Sequence, residues 1–338
     1  MNRLAVYVGL DYHQGSIQVC VLDKLGRVLC NRRCRNEVLD VYDLSEGLGE
    51  VQGVAIESCT GAANFADELS GLSKWRVELA HPGYVSRMKQ NPDKSDYSDA
   101  RMLADLIRVG YLPGVWLAPA WVRDLRQLVR YRQQLVNEKR NCKLRIGAVL
   151  REQRAGKGPG GRWSRGWQEW LQKLRELSEA GRWIVDQQLA SLSEFDGKIK
   201  TVEQRLRAYT QADAVVQKLQ TFPGIGLITA CVLRAEVGRF ERFHNGKQLA
   251  RFCGLSPRNA SSGMRQADAG LIKAGNNLLR ATLIETAHRL VWFVPRWKAL
   301  AAKLRQAGKA PCVVAAAIAN RWVRWLYHQM QPQATATT

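Results

Sequence analysis

The feature that most constrains the fold of this chain is a change of hydrophobic period near residue 119. Before it, short runs alternate between strand and helix spacing. Residues 5–10, 16–23 and 27–33 read as three strands with turns at Gly15 and Gly26. A short helix over 37–48, a buried strand over 53–58, a helix over 62–72 and a strand over 75–81 follow. After Pro119 the spacing becomes heptad-like: Leu128, Leu135, Cys142 and Val149 recur every seventh residue, with Leu125 and Ile146 on the adjoining seam. Arg132 and Lys139 interrupt that seam, which is therefore expected to be short or locally wet. A Gly-rich linker at 156–161 separates it from Trp167, Trp170, Leu171 and Leu174, and then from a second stripe at Phe195, Ile199, Val202, Leu206 and Tyr209. Two long amphipathic helices joined in this way predict an antiparallel coiled-coil hairpin.

A third, largely helical region opens at Phe222 and runs to about Tyr327. The expected organisation is an α/β domain over 1–118, a basic coiled-coil region over 119–215, an all-α domain over 216–328 and a polar, disordered tail over 329–338. A three-strand meander followed by helix–strand units is also the element order of an RNase-H-like sheet, although a fold by itself licenses no function.

Composition narrows the partners. Of 338 residues 46% are hydrophobic, enough for substantial cores, yet the formal net charge is +21. So basic a surface attracts polyanions, nucleic acid first among them; an unrelated basic enzyme or a protein that touches anionic lipid is the alternative. No run of about twenty apolar residues occurs, so no membrane span is expected. The apolar stretch near the N-terminus is too short for a signal peptide. Most of the eight cysteines sit in apolar runs, only Cys30 and Cys34 lie close together, and no Cys or His pair downstream completes a zinc site. Free thiols in a reducing cytoplasm are the expectation.

Acids mark the candidate chemistry. Asp11 ends one buried strand and Glu57 ends another, where a charge at the sheet edge needs a partner. Asp96 and Asp99, three apart at a helix start, project from one face. Four acids converging so would repel unless a cation lay between them, and could hold one or two Mg²⁺ or Mn²⁺ ions with room for phosphate. Each acid alone has a structural reading: Asp96 as a helix N-cap, Asp99 as a first-turn acid, Asp11 as a turn residue.

The second half carries phosphate-binding patterns. Phe222-Pro223-Gly224-Ile225-Gly226 resembles a helix-hairpin-helix turn, in which Gly224 and Gly226 allow close approach of a phosphate to the backbone; a tight turn between packed helices is the plainer reading. Downstream, Ser261-Ser262-Gly263 is flanked by Arg258, Arg265, Lys273 and Arg280. Arg126 and Arg130, with other basic residues of the first long helix, are candidates for nucleic-acid backbones, or simply a solvated face.

Asp11, Ile56-Glu57-Ser58-Cys59 and Lys94-Ser95-Asp96-Tyr97-Ser98-Asp99-Ala100-Arg101, followed by Pro223-Gly224-Ile225-Gly226, Gly254-Leu255-Ser256-Pro257-Arg258, Ser262-Gly263 and Lys273-Ala274-Gly275-Asn276, resemble in order the DEDD transposases of bacterial insertion sequences, relatives of the Piv invertase. The resemblance implies an RNase-H-like (Holliday-resolvase-like) domain, a coiled coil and a C-terminal transposase domain. It implies that Asp11, Glu57, Asp96 and Asp99 bind divalent metal and that Ser262, rather than Ser261, is the nucleophile. It further implies dimers paired into tetramers and a bridge RNA that pairs with donor and target DNA, acting in the bacterial cytoplasm at the nucleoid. Asp11-Tyr12-His13-Gln14 departs from the Asp-x-x-Lys start common in such proteins, and Thr60 stands where glycine is frequent. The expected activity is RNA-guided recombination through a covalent phosphoserine. A metal-dependent, junction-resolvase-like nuclease without that intermediate, or a non-catalytic nucleic-acid-binding protein, are the competing readings.

Overall fold

The computed structural model of the chain describes residues 3–88, 95–259, 268–272 and 275–332. Two compact units emerge, Met1–Ala120 and Trp121–Thr338. Among the described residues no helix is long and apolar enough to cross a membrane.

The first unit is a six-stranded mixed sheet. Its elements are β1 (Ala5–Tyr12), β2 (Ser16–Asp23), β3 (Val28–Arg35), α1 (Val38–Glu46), β4 (Glu50–Glu57), α2 (Ala62–Ser73), β5 (Val77–Ala80), α3 (Pro82–Met88), α4 (Asp96–Arg108) and β6 (Gly114–Val115). The strand order is β3-β2-β1-β4-β5-β6. β1 runs antiparallel to β2 and parallel to β4, so the meander and the helix–strand units meet at the centre of the sheet. This is the mixed α/β arrangement expected of an RNase-H-like domain.

The two-residue period of each strand sorts side chains between the faces. Val6, Val8, Leu10, Val54 and Ile56 pack with Val41 of α1 and with Phe65, Ala66 and Leu69 of α2. The alternate positions, including Cys20, Leu22, Ala55 and Ala80, face α4 through Ala100, Leu103, Ala104 and Ile107. Gly9 decides how closely α4 can lie: a Cβ there would stand 2.0 Å from the Ala100 carbonyl oxygen and 2.4 Å from the Ala104 nitrogen. No side chain fits, so glycine lets the helix rest on the strand backbone.

The second unit comprises α5 (Ala120–Glu152), α6 (Arg165–Lys173), α7 (Glu179–Thr210), α8 (Ala214–Gln220), α9 (Leu227–Val237), α10 (Gly246–Phe252), β7 (Pro257–Asn259), β8 (Asp268–Leu271), α11 (Asn277–Phe293), α12 (Pro295–Gln306) and α13 (Pro311–Met330). α5 and α7 form the antiparallel hairpin that the heptad stripes predict. Its register is pinned by Arg132 on Glu203 (2.6 Å) and by Lys139 on Asp196, pairs spaced seven residues apart on both helices and running in opposite directions. As expected, the seam is locally wet at both interruptions: the two cations reach part-exposed acids on the facing helix, and apolar packing resumes past them. Beyond them, Cys142, Ile146 and Leu150 pack with Trp167 and Leu171 of α6 and with Val185 and Leu192 of α7.

Where the sequence suggests a boundary at 215/216, the core runs on. Leu125, Val129, Val202 and Leu206 of the hairpin share one cluster with α9, α11 and α13. At the C-terminus α13 continues to Met330, so the expected tail from 329 begins as helix; residues 333–338 lie outside the described residues.

Candidate functional site

At the C-terminal end of β1, Leu10 pairs with Ile56 of the parallel β4, so Asp11 and Glu57 are the next residues of two adjoining strands. Both continue the parity that faces α4. Asp11 is largely buried, its side chain 14% exposed. On α4, Ser95 rather than Asp96 is the N-cap, accepting from the Ser98 amide at 3.2 Å. The plainer reading of Asp96 as a cap is corrected: it is the first helical residue and its carboxylate is left for other partners. Asp99 follows in the first turn and is buried. Because Gly9 brings α4 onto β1, these acids arrive above the strand end.

The closest gathering includes a residue that the motif reading passed over. Carboxylate oxygens of Asp11 and Asp96 and a ring nitrogen of His13 all lie within 4.8 Å of one another. His13 Nε2 is 3.2 Å from Asp11 Oδ2 and 3.5 Å from Asp96 Oδ1. Two residues beyond Asp11 in an extended chain, His13 has the parity of Asp11 and Gly9, which is the signal that could have found it. Arg33, from β3, donates to Asp96 Oδ2 at 2.8 Å, and Asn31 of the same strand donates to the Tyr97 carbonyl at 3.1 Å.

Electrostatics agree with the geometry. Burial raises the Asp11 carboxyl above its ordinary range; His13 opposes this, and the charges of Asp96 and Asp99 add to it. The neighbouring Cys59 thiol is also raised, by burial first and then by the charges of Glu57 and Asp11. A half-buried carboxylate crowded by like charges is stabilised by a cation, and oxygen donors from several acids suit a hard divalent ion. The donor set therefore fits a divalent metal, with Asp11 and Asp96 at its centre and Glu57 and Asp99 on the same face.

The second unit distributes its expected phosphate ligands unevenly. Gly224, with φ +81°, makes the turn between α8 and α9, and Gly226 precedes the first residue of α9. Arg289 of α11 donates to the Gly224 carbonyl and to Thr229 Oγ1, both at 3.3 Å, bracing that turn. Beside it lies an open cavity of about 900 Å³ lined in part by Lys200, Arg207, Gly224, Gly226 and Arg289. Arg126 and Arg130 are engaged elsewhere. Arg126 donates to the Ala235 carbonyl at 3.0 Å, and Arg130 makes a two-pronged contact with the buried Glu236 at 2.9 and 3.0 Å. Burial also lowers the Arg126 guanidinium from its ordinary value. Both are thus drawn toward Glu236, since a buried carboxylate demands cations, with Arg126 part-buried and Arg130 still exposed at the surface.

Arg258 is exposed on β7. Arg280 turns onto its own surroundings, donating to the Ile272 carbonyl at 3.3 Å and to Asn277. A Cβ on Gly275 would lie 2.7 Å from Gly254 Cα, so two motifs noted in the sequence meet backbone to backbone. Ser261, Ser262, Arg265 and Lys273 lie outside the described residues, the first three between β7 and β8, which pair antiparallel.

Comparison with known proteins agrees in both halves. Residues 8–154 match a sequence model of the IS110 DEDD transposase, and residues 216–302 match the transposase IS116/IS110/IS902 family. The chain is 28% identical over 294 residues to the transposase for insertion sequence element IS1111A of Coxiella burnetii, covering 84% of this chain and 77% of that protein. It is 28% identical over 351 aligned positions to a probable family 20 transposase of Pseudomonas aeruginosa, covering 95% of both. It is 26% identical over 286 residues to the transposase for IS1328 of Yersinia enterocolitica, covering 83% of this chain and 82% of that protein.

Proposed function

Because this chain belongs to the IS110/IS116 family of insertion-sequence DEDD transposases, metal-dependent enzymes that cleave and rejoin DNA, we propose that Asp11, Glu57, Asp96 and Asp99 hold Mg²⁺ or Mn²⁺ against a DNA phosphodiester. The observation that carries this reading is the gathering of Asp11 and Asp96 with His13 on the face where Gly9 admits α4. A bound divalent ion supplies charge neutralisation of the phosphoryl oxygens and of the departing oxygen. Asp11 and Asp96 position it, and the depth of Asp99 in the first turn of α4 keeps that end of the helix fixed.

Ser262 is the proposed nucleophile. Its Oγ forms a bond to phosphorus as the bond to the departing strand oxygen breaks; the serine proton leaves to a base and the departing oxygen gains one. The phosphoserine ester retains the energy of the broken diester, so an exchanged strand can be resealed by the reverse step without ATP. Support for the serine is its place in the motif order, before Gly263 and flanked by Arg258, Arg265, Lys273 and Arg280. The turn at Gly224 and Gly226 is proposed to meet DNA backbone. A bridge RNA pairing with donor and target DNA, and a tetramer built from dimers, complete the reading, with the bacterial nucleoid as its setting. A net charge of +21 supports two polyanionic partners.

The test uses DNA carrying the element's ends with a nick that traps the cleaved strand. Wild-type protein should leave a protein–DNA adduct on a denaturing gel, and Ser262→Ala should leave none. Asp99→Asn should slow strand cleavage a hundred- to a thousandfold. Metal-dependent cleavage that releases protein-free ends in the wild type would replace recombination by hydrolysis; adducts persisting in Ser262→Ala would remove the serine.

A further inference from the structure

The turn after β1 presents a nitrogen donor to a site otherwise read as carboxylates. His13 lies on the Asp11 side of the strand, and its backbone is fixed from two directions. Its amide donates to the Ser16 carbonyl at 3.0 Å, and the Asn36 side chain donates to the carbonyls of His13 and Gln14 at 3.0 and 3.2 Å. The imidazole thus extends from a braced turn, and its Nε2 faces one oxygen from each of two aspartates. The second oxygen of Asp96 is already held by Arg33. A permanent cation therefore neutralises that outer oxygen, and the oxygen facing inward is the one His13 approaches. Three donors within 4.8 Å of one another, from a strand, a turn and a helix start, can converge on one ion.

We propose that His13 is a ligand of this site's divalent cation, its Nε2 joining Asp11 and Asp96, and that it shifts the preference of the site from Mg²⁺ toward Mn²⁺. The proposal rests on the reading of the acids as a metal site. Mg²⁺ favours oxygen donors and strict octahedral geometry, whereas a neutral imidazole favours first-row transition ions. Tyr12 and Gln14, the neighbours of His13 in the turn, contribute nothing of the kind; the selectivity would belong to one side chain.

The probe is Mn²⁺, added to full-length protein and followed by pulsed electron paramagnetic resonance and by titration. Bound Mn²⁺ should show coupling to a ¹⁴N nucleus in the wild type. His13→Ala should lose that coupling and bind Mn²⁺ about tenfold more weakly, with a smaller change for Mg²⁺. His13→Gln, which offers an oxygen donor instead, should lose the coupling while regaining part of the affinity. Both substitutions fall on an exposed side chain, so thermal melting without metal should shift only slightly and with no loss of cooperativity. Wild-type Mn²⁺ that lacks nitrogen coupling, yet is lost in Asp99→Asn, would overturn the role of His13 and leave the acidic site standing. Mn²⁺ binding unaffected by Asp99→Asn would overturn the acidic site itself.

Discussion

In the first unit, Asp11 at a strand end and Asp96 at a helix start are brought together, with His13 and Arg33 set against them. In the second unit the proportions are reversed: the buried acid Glu236 is met by Arg126 at 3.6 Å and Arg130 at 2.9 Å, and Asp213 is met by Arg234 at 2.8 Å. The buried charge of Glu236 is matched within the fold, whereas at the strand end of β1 burial raises the Asp11 carboxyl and the charges of Asp96 and Asp99 add to it. A charge that completes a core and a charge held for an external partner are thus distinguished by their neighbours, not by their residue type. A basic composition alone could not separate Arg126, part-buried against the Ala235 carbonyl, from the exposed Arg258.

Four substitutions test that contrast. The largest effect should come from Glu236→Ala, which leaves Arg126 and Arg130 without their buried counter-charge and should cost about 3–5 kcal/mol in urea unfolding. Arg132→Ala on the hairpin, which breaks a more exposed pair with Glu203, should cost less than about 1 kcal/mol. Equal losses from the two would erase the distinction between a buried counter-charge and a surface pair.

Next in size is Gly9→Ala. Its Cβ meets the backbone of α4, so strand and helix must separate, at a cost of about 1–3 kcal/mol. The same separation should weaken Mn²⁺ binding, because Asp96 and Asp99 move with the helix. A stable Gly9→Ala protein with unaltered Mn²⁺ affinity would show that the close approach does not position the acids.

The smallest effect concerns Asp11→Asn. The folded Asp11 carboxyl is held above its unfolded value of about 3.9. Its contribution to stability is complete below that pH and is lost as pH rises through the folded value. Without metal, Asp11→Asn should therefore melt slightly higher than wild type at pH 7, with the advantage vanishing below about pH 4. Added Mn²⁺ should reverse the order, stabilising the wild type more than the variant.

These contrasts also explain what the sequence made legible. Asp11 and Glu57 stand out because each interrupts a buried apolar run where a strand ends, and the parallel pairing of β1 with β4 then makes them neighbours. Asp96 and Asp99 stand out by helical spacing, although the cap itself is Ser95. His13 was hidden because a lone histidine in a turn carries no motif; its importance depends on strand parity and on α4, more than eighty residues away in sequence. Arg132 and Lys139 looked like flaws in a seam because their partners, Glu203 and Asp196, lie on the returning helix. The pairing of Arg126 and Arg130 with Glu236 leaves no local signal because Glu236 is over a hundred residues distant. Local periodicity reveals elements and their faces, while charge pairing across the fold decides which charges remain for a ligand.

Whether the strand end of β1 and the start of α4 form a cation site is decided by crystals of the protein soaked in Mn²⁺ and measured at the manganese absorption edge. An anomalous peak is expected within about 2.0–2.3 Å of carboxylate oxygens from both Asp11 and Asp96. A fully soaked crystal with no peak there, and with His13 still bridging the two carboxylates, would contradict it.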